Sequence, residues 1–287
     1  MKQRLLLLFF LVLAWSGRAQ TLLQSQSFEA TGSDNLAANG YTASTVTSSV
    51  STNIYFLRTT LPVAGFNTAA GQVSTVTNIN GSYFWASENV RRSADNATVR
   101  GNPPANVTLT ALNVAGKSNL LVKVALADAA GPTAQNGSGG NTLPRWETDD
   151  YVRVQYRFNG TGVWNTIGQF VGDGSAGGGP PASGRLRQDI DRNGVADAGA
   201  PILTQTLTDY EFTISGSGNT LEVRVEIDQD GASEEFGFDN IQVYGSAAAS
   251  SPPQLNNIET GNLAYTEGGT PLAVTNTLTV SESTQAF

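Results

Sequence analysis

A strict two-residue period constrains this chain more than any other feature. Residues 221–228 read LEVRVEID, with Leu221, Val223, Val225 and Ile227 on one side of an extended backbone and Glu222, Arg224, Glu226 and Asp228 on the other. Successive side chains of a strand point to opposite faces, so this segment buries one face and wets its reverse. Residues 119–128 (NLLVKVALAD) put Leu120, Val122, Val124 and Leu126 together, and 151–158 oppose Val152, Val154, Tyr156 and Phe158 to Arg153, Gln155 and Arg157. Residues 238–244 supply a last strand. One-face burial belongs to antiparallel sheets, and many short alternating runs without a helical period predict an all-β antiparallel sandwich.

The runs also divide the chain. Residues 1–19 have the form of an export signal: Lys2 and Arg4 flank an apolar run over 5–15, and Gly17 and Ala19 stand at −3 and −1 of a cleavage before Gln20. That run is shorter than the ~20 residues a spanning helix needs, and no later segment approaches it, so no transmembrane segment is expected in the mature chain. Residues 20–245 form the expected sandwich, 246–254 (SAAASSPPQ) a linker, and 255–287 the start of a second, truncated sandwich-type repeat. The chain reads as the N-terminal part of a longer secreted or cell-surface protein. Two long segments, 129–148 and 172–201, carry Gly, Pro, Asn and Asp with little apolar pattern and are expected as loops, functional or mobile.

Composition removes several function classes. The 16 Lys and Arg are outnumbered by 24 Asp and Glu, and loss of the leader would take Lys2, Arg4 and Arg18 with no acid. Phosphate neutralisation needs the opposite balance, which argues against nucleic acid as a partner. With neither His nor Cys, Ser-His-Asp triads, HExxH zinc sites and thiolate nucleophiles are excluded; paired-carboxylate hydrolysis alone would remain. The chain reads as non-catalytic.

Carboxylates carry the sharpest chemistry. Asp189, Asp191 and Asn193 are spaced as the first three side-chain ligands of an EF-hand loop, Gly194 stands at the sharp turn, the Val195 carbonyl follows, and Asp197 takes the ninth position. The twelfth position, a bidentate Glu in that loop, is Ala200. The alternative is a metal-free Asx-rich turn, since Asp, Asn and Gly favour turns by themselves. Strand phase nominates two more acids. Asp150 shares a face with Val152 and Val154, and Asp239 with Ile241 and Val243, so both are expected core-facing at strand starts. A bound Ca²⁺ or neighbouring N–H groups would satisfy them.

Ser27-Phe28-Glu29, Asp149-Asp150-Tyr151-Val152 and Glu234-Glu235-Phe236-Gly237-Phe238-Asp239-Asn240-Ile241 together resemble jelly-roll modules of secreted bacterial proteins. That group is similar to carbohydrate-binding, galactose-binding-like and MAM-type adhesive domains. The resemblance covers about 22–245. It implies a jelly roll whose early "FE" and terminal "FDNI" lie side by side and hold a structural Ca²⁺, which nominates Glu29, Asp239 and Asp150. Residues 255–280 resemble the start of cadherin-like or Calx-beta-like repeats of bacterial adhesins.

Trp85, Trp146 and Trp164 are each candidates for core packing or for a sugar-stacking platform. Trp146, beside Pro144, Arg145 and Glu147 at the end of a long loop, is the one expected to be exposed and ligand-binding. The reading is a Ca²⁺-stabilised recognition module for glycan or extracellular matrix. Its rivals are an accessory domain of an exported hydrolase and a spacer without ligand.

Overall fold

The computed structural model describes residues 20–29, 40–46, 54–61, 75–93, 96–100, 102–129, 146–175, 182–231, 234–248, 254–256, 267 and 279–281. The leader and most of the tail lie outside them. In chain order the strands begin with β1 (Thr21–Gln26), β2 (Tyr41–Ala43), β3 (Tyr55–Thr59), β4 (Phe84–Glu88), β5 (Arg92–Ser93) and β6 (Asn96–Arg100). Then come β7 (Ala105–Leu109), β8 (Leu112–Asn113), β9 (Lys117–Asp128), β10 (Trp146–Glu147), β11 (Tyr151–Phe158) and β12 (Asn165–Gly172). The series ends with β13 (Ser183–Gly184), β14 (Leu186–Gln188), β15 (Thr208–Thr213), β16 (Thr220–Asp228), β17 (Phe236–Ala247), β18 (Gln254–Asn256) and β19 (Thr279–Ser281). Among the described residues there is no helix.

Two antiparallel sheets face each other. One runs β15-β9-β17-β4-β3, with β1 also on β17; the other runs β14-β12-β11-β16-β7-β2, with β8 also on β16. The chain changes sheet from β14 to β15, to β16 and to β17, so neighbours in sequence face each other across the core. The expected all-β antiparallel sandwich is the fold. Between the sheets lie Val122, Val124 and Leu126 of β9, Val152 and Val154 of β11, Val223, Val225 and Ile227 of β16, and Phe236, Phe238, Ile241 and Val243 of β17, all buried. Each fully buried side chain of this size adds about 1.5–3 kcal/mol.

The six-stranded sheet is covered on its other face as well. Thr77 and Thr206 form a parallel bridge there, and Tyr55, Val76, Phe84, Ala86, Ala125, Ala127, Ala129 and Leu207 make a second, smaller core. This is why the end of β9 alternates large and small, Val124-Ala125-Leu126-Ala127. The large side chains fill the sandwich, and the alanines let a covering segment approach.

Strand phase misleads at one place. Asp239 pairs with Ala125, and the register with β9 then slips before Gln242 pairs with Lys123. Asn240 takes up the slip in the left-handed region, φ 51°, so two residues stand against one, as in a β-bulge. Asp239 therefore lies on the outer face with Gly237 and Ala125, whereas Ile241 and Val243 point into the sandwich. Its expected place beside Ile241 on the core face is corrected.

The segments expected as loops are partly sheet. β10 falls in the first, and β13 and β14 in the second, where Leu186 is fully buried. Their strands are two or three residues long, too short to show a period. β18 and β19 pair with each other; the rest of the expected second repeat lies outside the described residues.

Candidate functional site

The solvent face of the seven-stranded sheet is a continuous polar network. β11 and β16 pair in the register Arg153 to Glu226, Gln155 to Arg224 and Arg157 to Glu222. With their alternate residues in the core, these rows lie on the opposite face of the sheet, where Gln155 and Glu226 are nonetheless buried. The Tyr151 hydroxyl donates to Glu226 Oε1 (3.4 Å), Arg224 Nη2 reaches Glu226 Oε2 (2.6 Å), and Arg224 Nε donates to Gln155 Oε1 (2.7 Å). Arg157 pairs with Glu222. Two aromatic rings bracket the network. Trp164 lies beneath the guanidinium groups of Arg224 and Arg157, 4.4 and 4.5 Å from its ring centre, and Tyr151 lies 3.7 Å beneath that of Arg153. Both rings are half-buried, and Val163 beside Trp164 is 80% exposed. Burial, with the Glu226 charge adding, pushes the Tyr151 hydroxyl up to about 12, so it stays a donor at neutral pH.

The 189–197 loop closes one edge of that face. Asp189 is 1% exposed and accepts four hydrogen bonds: Oδ1 from the N–H of Arg192 (2.7 Å) and Asn193 (3.2 Å), Oδ2 from the N–H of Gly194 (2.8 Å) and from Gln169 Nε2 (2.9 Å). Asp197 Oδ2 accepts from Ile190 N–H at 2.7 Å, and Asn193 Oδ1 from Val195 N–H at 2.8 Å. Oxygens of Asp189, Asp191 and Asp197 lie within 4.8 Å of one another. The loop thus brings together the acids that its spacing nominated, and it also makes the Asx turns of the alternative reading. Gln169 links it to the sheet face, since its Oε1 accepts from Arg153 Nε at 2.8 Å.

Asp150 is fully buried, as phase predicts, but its company is different. One oxygen each of Glu147, Asp150, Asp230 and Glu234 lies within 4.8 Å of the others. Asp150 Oδ2 accepts from Glu147 N–H (3.0 Å), and Glu234 Oε2 from Gly231 N–H (2.6 Å). Burial, then the Asp150 charge and Glu147, drive the Glu234 carboxyl well above its ordinary range. Sequence reasoning missed Glu147, Asp230 and Glu234. The available signal was acid density at the two strand junctions, WETDD and DQDGASEE.

Glu29 and Asp239 do lie near each other, as the resemblance implies. Glu29 Oε1 accepts from the N–H groups of Ser82 (2.9 Å) and Tyr83 (2.7 Å); Asp239 accepts from those of Asn80 (2.8 Å) and Asn240 (2.6 Å). Gly81 turns between them at φ 99°, and a Cβ there would stand 2.5 Å from the Glu29 carboxyl carbon. Burial, with Glu29 adding, raises the Asp239 carboxyl to about 7 against the hydrogen bonds that lower it.

Trp146 is the clear correction. It is 1% exposed and packs edge-on to Phe236, ring centres 6.5 Å apart, so it cannot present a stacking surface. Strand β10 pairs with β13, and an amphipathic-looking neighbourhood, Arg145 and Glu147, concealed an inward side chain. Trp85 is buried too, within a cluster of Phe28, Tyr41, Phe56 and Phe238. Of the three candidates, Trp164 reaches the surface.

No protein-family model matches this chain, and curated proteins contain no significant relative. Among solved structures it is similar to the CBM22-1 xylan-binding domain of a Paenibacillus barcinonensis protein: 12% identity, TM-score 0.35, covering 82% of this chain and 100% of that one. It is also similar to the K3 cleaved adhesin domain of the Lys-gingipain of Porphyromonas gingivalis, at 10% identity and TM-score 0.35, covering 79% and 99%. A third likeness is to the CBM22-1 and GH10 modules of a Clostridium thermocellum endo-1,4-beta-D-xylanase, at 10% identity and TM-score 0.34. There 78% of this chain is covered, and it spans 28% of that chain.

Proposed function

We propose that this chain is a non-catalytic, Ca²⁺-stabilised recognition module of an exported protein, and that the outer face of its seven-stranded sheet binds a glycan. The observation that carries the reading is the bracketed polar face: Trp164 and Tyr151 at its ends, with Arg153, Gln155, Arg157, Glu222, Arg224 and Glu226 between them. Sugars offer apolar C–H faces to aromatic rings and hydroxyls to planar Arg, Gln and carboxylate groups, which this row supplies with fixed orientation. Having neither His nor Cys, the chain has no imidazole base or thiolate to turn binding into catalysis. Export rests on the leader-like residues 1–19, and display on the cadherin-like start at 255. No helix among the described residues is long and apolar enough to cross a membrane.

Ca²⁺ would be held by Asp189, Asp191, Asn193, the Val195 carbonyl and Asp197. Through Gln169 that ion would also stiffen Arg153. A second ion at Glu29 and Asp239 would replace the proton that Asp239 retains near neutrality. A glycan array followed by calorimetry on its hits tests the main reading. Trp164→Ala should weaken binding at least tenfold while leaving the fold intact; a Trp164→Ala protein that binds as well as wild type, or an array without hits, overturns it.

A further inference from the structure

The geometry points to a further Ca²⁺ site, formed by Glu147, Asp150, Asp230 and Glu234, that ties the two sheets together where β16 hands over to β17. Glu147 and Asp150 close the turn between β10 and β11, and the Asp150 N–H donates to the Glu147 carbonyl at 3.1 Å. Asp230 follows β16 and Glu234 precedes β17, so the chain leaves one sheet from an acid and enters the other at an acid. β11 and β16 are paired up to Tyr151 and Asp228, which carries both junctions to one end of the sandwich.

Four carboxylates brought together from two sequence-distant junctions repel one another, and burial sharpens the repulsion. Acids alone do not make a site. Here a second observation points to a ligand. Glu234 is 1% exposed, and while its Oε2 accepts from Gly231, its Oε1 is buried with no hydrogen-bond donor. A buried carboxylate oxygen left without a donor is costly, and Glu234 is one of the four acids gathered here. Gly231 makes room for it, since a Cβ there would stand 1.9 Å from that same oxygen. The spacing suits the ion. Ca²⁺ takes about six to eight oxygens at roughly 2.3–2.6 Å, so ligands on opposite sides of it stand about twice that distance apart, and the four oxygens lie within 4.8 Å of one another. None of the four residues belongs to the glycan face or to the 189–197 loop.

The test uses the full chain, stripped with chelator, and Ca²⁺ or Tb³⁺ as the probe. Trp146 directly precedes Glu147 and is the indole placed to sensitise a lanthanide at this site. Wild type and an Asp191→Asn/Asp197→Asn variant should both show indole-excited Tb³⁺ emission that Ca²⁺ competes away. Glu234→Gln and Asp150→Asn should lose it, with at least tenfold weaker Ca²⁺ binding. Glu234→Gln can still accept from Gly231, and it should raise Tm in chelator while shrinking the Tm rise that Ca²⁺ produces. Unchanged emission in Glu234→Gln, a lowered Tm in chelator for that variant, or no Ca²⁺ effect on wild type overturns the site. Loss of glycan binding would leave all these readouts unmoved.

Discussion

Two acid-rich regions of this molecule solve the same electrostatic problem in different ways. In the 189–197 loop the carboxylates are answered locally: Asp189 accepts N–H groups three, four and five residues ahead, and Asp197 reaches back to Ile190. Asp191 is exposed, and water screens what the turns leave over. The other region, Glu147, Asp150, Asp230 and Glu234, draws on two strand junctions about eighty residues apart in sequence and buries Asp150 and Glu234 outright. Backbone donors satisfy part of it, and Glu234 Oε1 is left over. Local spacing can thus answer most of an acidic loop's charge, with Gln169 adding one donor from the sheet, whereas acids assembled by tertiary contact depend on what the fold brings to them.

The largest effect that can separate the two comes from the strand they depend on unequally. Val225 is fully buried in β16, the strand that delivers Asp230. Val225→Asp should place an unpaired charge in the core, at roughly 3–5 kcal/mol, and abolish soluble, β-rich protein by circular dichroism. A folded Val225→Asp protein would break the assignment of β16 as a central strand, and with it the assembly of the four-acid region.

A smaller effect should come from Asp189→Ala. It removes an acceptor of four hydrogen bonds and frees Gln169 from the loop; loss of a buried, hydrogen-bonded charged group is worth about 2–3 kcal/mol. Denaturant unfolding with chelator present measures it. The contrast with Glu234→Gln is the point, because one variant should destabilise the metal-free protein and the other stabilise it. If both destabilise, the two regions do not differ as described.

The smallest effect is a pH slope. Asp239 has its carboxyl raised to about 7 in the folded state, above the ordinary value near 3.9 of an unfolded chain. The folded protein therefore holds a proton that the unfolded one has released, and stability should fall as pH rises from about 4 through 7. Asp239→Asn should flatten that slope, as should Ca²⁺ if it replaces the proton. A metal-free protein whose Tm rises across that interval would show that hydrogen bonds from Asn80 and Asn240 outweigh burial.

The alternating strands β9, β11 and β16 are legible in the sequence because one-face burial writes a two-residue period into the chain. The 189–197 cluster is legible for a similar reason: apart from Gln169, the donors to Asp189 and Asp197 are backbone N–H groups seven residues away or fewer. The short strands β10, β13 and β14 escape because two or three residues carry no period.

By itself, then, the sequence determined the all-β sandwich, the inward rows of its long strands, the acidic loop and the absence of imidazole and thiol chemistry, since each follows from residue type and local spacing. The tertiary structure decided the rest. It turned Trp146 inward against Phe236 and left Trp164 at the surface; through a bulge at Asn240 it moved Asp239 to the outer face; and it gathered Glu147, Asp150, Asp230 and Glu234. These outcomes depend on which strands become neighbours, and strand neighbours are chosen by packing across the whole core, a choice that no single segment records.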